Sequence, residues 1–122
     1  MAFQTHIREE LTRICGSKWV KDDKVTLYTY RSDGLTLFTS EPMGIVYPAN
    51  TDELVQVVKV LHREKLNFLA RGAGTGLSGG AVPNGDTIII EMARFKEVYD
   101  VDYTNRTITV GPGVINLRIS EQ

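Results

Sequence analysis

The segment that most limits how this chain can fold is a glycine-rich decapeptide, residues 71–80, which we call the glycine loop. It reads Arg-Gly-Ala-Gly-Thr-Gly-Leu-Ser-Gly-Gly, and the apolar run Asn67–Ala70 leads into it. Five glycines in nine positions leave one side of the main chain without Cβ atoms, so a ligand can approach the backbone N–H groups directly. Each glycine in ordered structure is destabilising by roughly 0.5–1 kcal/mol, and a whole domain has only roughly 5–15 kcal/mol to spare. We therefore expect a bound anion, such as a pyrophosphate, to stabilise this segment.

Length and composition are typical of a globular protein with one domain. With 122 residues, of which 42% are hydrophobic and 24% charged, the chain is long enough for one core and too short for two. Fourteen basic and fifteen acidic side chains leave a net charge of −1, with no block of like charge to bind nucleic acid. The N-terminus lacks the pattern of a secretion signal, and no apolar run is long enough to span a membrane. We therefore expect no nucleic-acid partner, no membrane span and a cytoplasmic location, with peripheral attachment to a membrane left open.

Few residues are candidates for catalysis or metal binding. Cys15 is the only cysteine, so the chain has no intrachain disulfide and no zinc-binding cysteine cluster, and we predict that Cys15 is a small buried apolar residue. His6 and His62 each fall on a predicted helix without a nearby residue that would orient them as a base. We therefore predict surface or partly packed histidines and assign neither a catalytic residue nor a metal site.

The first third of the chain predicts a helix followed by less regular structure. Apolar residues at spacings of four, four and three share one face of a helix that ends near Gly16. They are Phe3, Ile7, Leu11 and Ile14. A short strand is predicted after it, and Asp33-Gly34 predicts a turn. The apolar residues of that strand are Val25, Leu27, Tyr28 and Tyr30.

The middle of the chain predicts a strand, a helix and a second strand. A β-branched run at 44–48 ends in a proline, and Asn50 or Thr51 can then cap a helix that ends near Lys65. Its apolar residues fall at i, i+3, i+4 and i+7. They are Leu54, Val57, Val58 and Leu61. With Asn67–Ala70 as the second strand, the order resembles a right-handed βαβ crossover.

The last third predicts strands. Residues 87–92 form a continuous apolar run, as expected of a strand buried on both faces, and should join the first two strands in one small parallel or mixed sheet. Residues 98–102 and 106–110 predict a hairpin that Gly111-Pro-Gly113 ends. Residues 114–119 then predict the beginning of another element.

Residues 74–79 of the glycine loop match the dinucleotide-binding pattern Gly-x-Gly-x-x-Gly, and a strand precedes them as that motif requires. The motif also needs a helix that begins inside it. Here Gly80, Pro83 and Asn84-Gly85 follow before one helical turn could form, so a nicotinamide-binding Rossmann fold is disfavoured.

Three other interpretations of the glycine loop remain. A mononucleotide P-loop needs a lysine, and none lies between Lys65 and Lys96. A plain turn or flexible linker is disfavoured because predicted strands flank the loop, with Arg71 at the junction. The third is a helix-free nest, in which successive N–H groups curl around a diphosphate and Thr75 and Ser78 add hydroxyl donors. We favour the nest, because charge-assisted hydrogen bonds would offset the destabilising effect of the glycines.

Three stretches of the sequence together closely resemble the vanillyl-alcohol oxidase/p-cresol methylhydroxylase superfamily of FAD-linked oxidases. They are Pro48-x-x-Thr51-x-Glu53-Leu54, the glycine loop, and Val110-Gly-Pro-Gly-Val114. The resemblance runs from Tyr30 and Asp33 onward and covers nearly the whole chain. Within the superfamily the likeness is greatest to the D subunit of glycolate oxidase and to FAD-dependent D-lactate dehydrogenases.

The resemblance implies an α+β fold. It would be the N-terminal lobe of a PCMH-type FAD-binding domain, with a small parallel or mixed sheet, flanking helices and the start of an antiparallel sheet. Residues 1–122 would form a single partial domain, in which 1–43 are an N-terminal helix and extended segment and 44–122 are the first half of the FAD-binding domain. The cofactor-binding residues that the resemblance implies are Pro48 near the adenine side, Arg71, the main-chain donors Gly72, Ala73, Gly74, Thr75, Gly76 and Leu77, and Ser78 and Gly79 closing the nest.

The resemblance also implies an activity. Relatives that link flavin covalently through this loop carry histidine where this chain has Thr75, so we expect non-covalent FAD. Full members of the superfamily continue through a second flavin segment and a substrate domain, so we expect a truncated chain that is inactive alone. The full-length protein would oxidise a small 2-hydroxy acid such as glycolate or D-lactate. Its partners would be FAD, the hydroxy acid, and either further copies of itself or other subunits of an oxidase complex.

A different class of function is also open. The chain could be a non-enzymatic module that binds a phosphate ligand or assembles with another chain. This alternative expects the apolar strand at 87–92 to have an uncovered face or edge that promotes pairing with a partner.

Overall fold

A computed structural model describes residues 3–122, so the first two residues of the predicted N-terminal segment lie outside the described part. The strands are β1 (Val20–Lys21), β2 (Gly44–Val46), β3 (Asn67–Arg71), β4 (Thr87–Glu91), β5 (Val98–Asp102) and β6 (Thr107–Val110). The helices are α1 (Thr5–Cys15), α2 (Lys24–Thr29), α3 (Thr51–Arg63) and α4 (Asn116–Ser120), and a 3₁₀ turn (Ser17–Trp19) separates α1 from β1. The arrangement confirms the predicted α+β class.

Four strands form a mixed sheet in the order β1-β2-β4-β3. The strands β2, β4 and β3 are parallel, whereas β1 pairs antiparallel with β2. All five residues of β4 are buried, since this strand has a partner on each side. The expectation of an uncovered edge at 87–92 was therefore wrong. Although β3 follows β2 in the sequence, β4 lies between them in the sheet, and β3 forms the edge instead.

The main core lies between the sheet and the pair α1 and α3. Alternate residues of a strand face opposite sides of the sheet, so Ile88 and Ile90 of β4 pack toward the helices with Leu11 and Val57, all at most 2% exposed. Ile89 faces the other side of the sheet and is fully buried as well. The apolar stripe predicted for the first helix is thus confirmed as a packing face.

The two long helices begin and end where the sequence predicted. Gly16 follows α1 with a φ of 92°, in the left-handed region that favours glycine. At the start of α3, Asn50 Oδ1 accepts a hydrogen bond from the Glu53 N–H at 2.9 Å. The Glu53 carboxylate in turn accepts one from the Ala49 N–H at 2.7 Å. This reciprocal cap orients the chain that enters the helix from β2.

The short strand predicted around Val25–Tyr30 was wrong, because this segment forms the helix α2. Asp23 caps the helix: its Oδ1 accepts from both the N–H and the hydroxyl of Thr26, each at 3.0 Å. The side chain of Val25 is 79% exposed, so no buried strand face exists here. Local capping by Asp23 outweighed the strand propensity of the apolar residues that follow it.

The end of the chain agrees with the predictions. The strands β5 and β6 form the predicted antiparallel hairpin, and residues 111–113 end it. The further element expected at 114–119 is α4. No helix among residues 3–122 has the length and apolar character needed to cross a membrane.

Replacing Val57 with Ala tests the core between α3 and the sheet. The side chain is fully buried, so its loss removes apolar contacts and leaves a cavity, and we expect unfolding to become easier by about 2 kcal/mol. Val55 lies on the same helix and is 44% exposed. Val55→Ala should leave the unfolding free energy nearly unchanged, because the higher helix propensity of alanine offsets the loss of the few contacts of this exposed side chain. Urea denaturation of both variants measures the difference, and equal effects would show that α3 does not pack as described.

Candidate functional site

The glycine loop begins where β3 ends, at the edge of the sheet where all three parallel strands have their carboxyl ends. Ligands of α/β proteins commonly bind at such an edge. Pro48 follows the end of β2 at this edge and is fully buried. Glu91 is the last residue of β4 and lies between the two. The fold thus brings Pro48 and the glycine loop to one side of the molecule.

The middle of the glycine loop offers main-chain donors that the protein does not use. Within residues 3–122, the N–H groups of residues 73–78 donate to no protein acceptor. All of these residues except Gly74 are exposed. Side chains are small or absent at most of these positions, so an anion can reach consecutive N–H groups, as in an anion-binding nest. This arrangement fits the predicted pyrophosphate.

The Arg71 side chain packs against the glycine loop on the protein side. Its side chain is buried, and Nη1 donates to the carbonyl oxygens of Tyr30, Ser32 and Ala81 at 3.3, 2.9 and 2.8 Å. The guanidinium also lies directly under Gly74, where a Cβ would come within 2.6 Å of Cζ. Gly74 has a φ of 69°, which other residues rarely adopt. Arg71 therefore binds the protein's own carbonyls and fixes the shape of the loop.

A second segment holds the other side of the glycine loop. The Gly34 N–H donates to the Gly76 carbonyl at 3.0 Å, and a Cβ on Gly34 would lie 2.8 Å from the Thr75 carbonyl oxygen. The Gly79 N–H donates to Asp33 Oδ2 at 2.9 Å. The Gly79 N–H is therefore already used within the protein. Any contribution of Gly79 to ligand binding comes from the space that the absence of a side chain leaves. The sequence predicted the Asp33-Gly34 turn but not its contacts with the loop, since they span more than forty residues.

The stretch Val110-Gly-Pro-Gly-Val114 also lies close to the glycine loop. A Cβ on Gly72 would lie 3.8 Å from the carbonyl oxygen of Pro112. The turn that ends β6 therefore lies beside the first residue after β3, so two of the three stretches that carried the resemblance are neighbours in space.

A small polar cavity of about 350 Å³ adjoins the start of the glycine loop. It is lined by Thr29, Tyr30, Arg71, Gly72, Ala73, Glu91 and Ala93. Glu91 is 3% exposed, and its Oε1 accepts from the Ala93 N–H at 3.1 Å. Burial raises the pKa of the Glu91 carboxyl. Sequence reasoning missed this group, because Glu91 lies inside an otherwise apolar run that predicts only a core strand.

Two tyrosine hydroxyls form a hydrogen bond next to this cavity, which Tyr30 lines. The Tyr47 hydroxyl donates to the Tyr30 hydroxyl at 2.9 Å, and the two rings meet edge to face. Burial raises the pKa of both tyrosines, so both stay neutral in the physiological range. The pair joins the end of α2 to the segment after β2.

The two histidines and the cysteine, to which we assigned no catalytic role, lie outside the candidate site. His6 and His62 are exposed on α1 and α3, and His6 Nε2 is 3.4 Å from Glu64 Oε2. Cys15 is buried on α1, and this burial raises the pKa of its thiol to about 12. Both predictions, surface histidines and a buried apolar cysteine, are confirmed.

The profile of the family described as FAD binding domain matches residues 42–122. Glycolate oxidase subunit GlcD of Escherichia coli (strain K12) is 41% identical over 92 residues, which are 75% of this chain and 18% of that protein. D-lactate dehydrogenase of Archaeoglobus fulgidus is 36% identical over 75 residues, which are 62% of this chain and 17% of that protein. The chain therefore spans less than a fifth of the length of these relatives.

Solved structures show the same fold. Crystalline p-cresol methylhydroxylase with substrate bound superimposes with a TM-score of 0.84 at 17% identity, over 98% of this chain and 25% of that one. The predicted fold, the N-terminal lobe of a PCMH-type domain, is confirmed.

Gly74→Ala tests the contact between the glycine loop and Arg71. The substitution puts a side chain at a positive φ and against the guanidinium, so we expect a loss of about 1–3 kcal/mol in the free energy of unfolding. At Gly76 a Cβ meets no atom within 4 Å, so Gly76→Ala should unfold like the unmodified chain. Thermal and urea denaturation of the two variants measure this, and equal stabilities would contradict the described packing of Arg71.

Glu91→Gln tests the buried carboxyl. Since the pKa of Glu91 is raised in the folded protein, the stability that it contributes is complete below the pKa of the unfolded chain and is lost as the pH rises through the folded value. Glutamine does not ionise, so the variant should gain stability over the unmodified chain as the pH rises above about 4, the usual range of a glutamate carboxyl. Melting temperatures measured against pH give the gain. A difference in stability between Glu91→Gln and the unmodified chain that does not depend on pH would contradict burial as the cause.

Proposed function

The chain belongs to the FAD binding domain family, and we propose that it is the N-terminal FAD-binding portion of an oxidoreductase that oxidises a small 2-hydroxy acid. FAD is the cofactor. The names of the two relatives above refer to glycolate and D-lactate, which are both 2-hydroxy acids. This common chemistry supports the substrate class, although the relatives extend far beyond the part that this chain matches.

The observation that carries the proposal is the row of unused N–H groups in a glycine loop whose shape the protein itself fixes. We propose that Gly72, Ala73, Gly74, Thr75, Gly76 and Leu77 donate main-chain hydrogen bonds to the pyrophosphate of FAD, that Ser78 and Gly79 close the nest, that Arg71 supports it, and that Pro48 lies near the adenine side. Hydrogen bonds to an ionised acceptor are shorter and stronger than neutral ones. They would offset the flexibility of the glycines.

FAD supplies the hydride-accepting chemistry, which no side chain of this chain could replace. The part of the protein described here binds and orients the cofactor through its main chain. Thr75 has no imidazole with which to form a covalent flavin link, so we propose non-covalent FAD. Residues that would recognise the hydroxy acid are not assigned to this chain, and we propose that it does not turn over substrate alone.

A second candidate function is assembly with another chain. Within residues 3–122, β3 has a strand neighbour on one side only, and Phe68 on this strand is 44% exposed. An unpaired edge of this kind can accept a strand from a partner. A further copy of the chain or another subunit of an oxidase complex would fill this role, and a monomer in sedimentation velocity would argue against self-assembly.

Titration with FAD, followed by flavin fluorescence and absorbance, tests the proposal. The unmodified chain should bind FAD and release it unchanged on denaturation, as non-covalent binding requires. Gly76→Ala should weaken binding about tenfold or more, since a Cβ there would narrow the approach to the main-chain N–H groups, whereas it meets no protein atom within 4 Å and should not alter stability. Gly85→Ala is the matched control, because a Cβ there is also unhindered but lies outside the glycine loop.

No FAD binding by the unmodified chain at high micromolar concentration would overturn the flavin proposal. A dye-reduction assay with glycolate or D-lactate tests the separate proposal that this chain alone is inactive. Steady turnover above background would contradict it.

A further inference from the structure

We propose that Asp33 is a positioning residue that sets the conformation of the glycine loop before any ligand is bound. The inference rests on the proposed function, because the loop is taken to be the site of the FAD pyrophosphate. Asp33 itself would touch no part of the cofactor, and its effect would pass through the main chain of the loop.

The two carboxylate oxygens of Asp33 have separate tasks. Oδ1 accepts hydrogen bonds from the N–H groups of Leu35 and Thr36, at 2.9 and 3.3 Å, and so forms the turn that follows Asp33. Oδ2 accepts from the Gly79 N–H at 2.9 Å, across a sequence separation of 46 residues. One carboxylate thus joins a local turn to the far end of the glycine loop.

Burial and charge support this assignment. Asp33 is only 8% exposed and forms no ion pair with any of residues 3–122. A carboxylate cannot donate to a phosphate oxygen, and its negative charge would repel one. Its partners are main-chain N–H groups from its own turn and from the loop, and these hydrogen bonds lower the pKa of Asp33. The carboxylate is therefore ionised at neutral pH and serves the protein side of the loop.

Two neighbouring contacts fix which main-chain groups of the loop face the protein. The Gly34 N–H donates to the Gly76 carbonyl, so that carbonyl faces the turn. Arg71 Nη1 joins the Ser32 carbonyl to the Ala81 carbonyl just beyond the loop. With these carbonyls and the Gly79 N–H held on the protein side, the unused N–H groups of residues 73–78 are left for a ligand. Binding is stronger when a loop is already ordered, since less conformational entropy is lost.

Asp33→Asn separates the two tasks of the carboxylate. Asparagine has one oxygen, which can accept either from Leu35 and Thr36 or from Gly79, and its NH₂ group cannot accept the remaining hydrogen bond. Asp102→Asn is the matched control: Asp102 also accepts from a main-chain N–H three residues later, that of Asn105 at 2.9 Å, but is the last residue of β5, where the turn of the β5–β6 hairpin begins. Both substitutions remove one negative charge, so a general charge effect would appear equally in the two variants.

The first measurement uses the ligand-free chain. In NMR spectra recorded against pH, the Gly79 and Leu35 amide protons of the unmodified protein should shift with one common midpoint below the usual aspartate range. This measurement needs no variant, so it remains informative if Asp33→Asn fails to fold. Separate midpoints, or no shift at Gly79, would overturn the proposal. In folded Asp33→Asn, hydrogen exchange at Gly79 should become faster, whereas in Asp102→Asn it should not change.

The second measurement is the affinity for FAD. Asp33→Asn should weaken binding by about tenfold or more, and Asp102→Asn should bind like the unmodified chain. Unaltered FAD affinity in folded Asp33→Asn would overturn the positioning role. If the unmodified chain bound no FAD, the proposed function would fail, and the ligand-free measurement would still decide whether Asp33 orders the loop.

Discussion

The hydrogen bonds of the Arg71 guanidinium hold the site together. One nitrogen donates to carbonyls of the segment after α2 and of the chain that leaves the glycine loop. Tyr30 and Ser32 are close in the sequence, whereas Ala81 is distant from both. None of the three carbonyls is part of a strand or helix that would satisfy it. A buried cation needs such partners, and the segments need a common donor. The shape of a loop with five glycines therefore depends on one side chain at the end of β3.

The parallel strands decide where this side chain can act. Because β2, β4 and β3 are parallel neighbours, their carboxyl ends meet at one edge, and Pro48, Arg71 and Glu91 come to lie there together. The core beneath this edge is apolar and fully buried. A rigid sheet supports a segment that has few side chains of its own. This combination suits a site that recognises an anion through the main chain, and it explains why the candidate binding groups are N–H donors.

The local elements could be predicted from the sequence to different degrees. The apolar periodicity and caps of α1 and α3 predicted both helices with nearly correct ends. The helix α2 was missed because its signal is the single cap at Asp23, whereas the apolar residues after it favour a strand. The position of β4 was missed for another reason: an all-apolar run predicts burial on both faces but does not say which strands lie beside it.

By itself, the sequence determined the candidate nest, since a run of glycines between two strands and without a following helix leaves few other structures open. It also determined the family, through three short stretches that keep their order. The tertiary structure alone decided which groups of the loop are free. Asp33 engages the Gly79 N–H, Arg71 lies under Gly74, and Glu91 borders a cavity. The physical reason is that local patterns fix dihedral angles and exposed faces, whereas each of these contacts joins residues that only the folded sheet and its connections bring together.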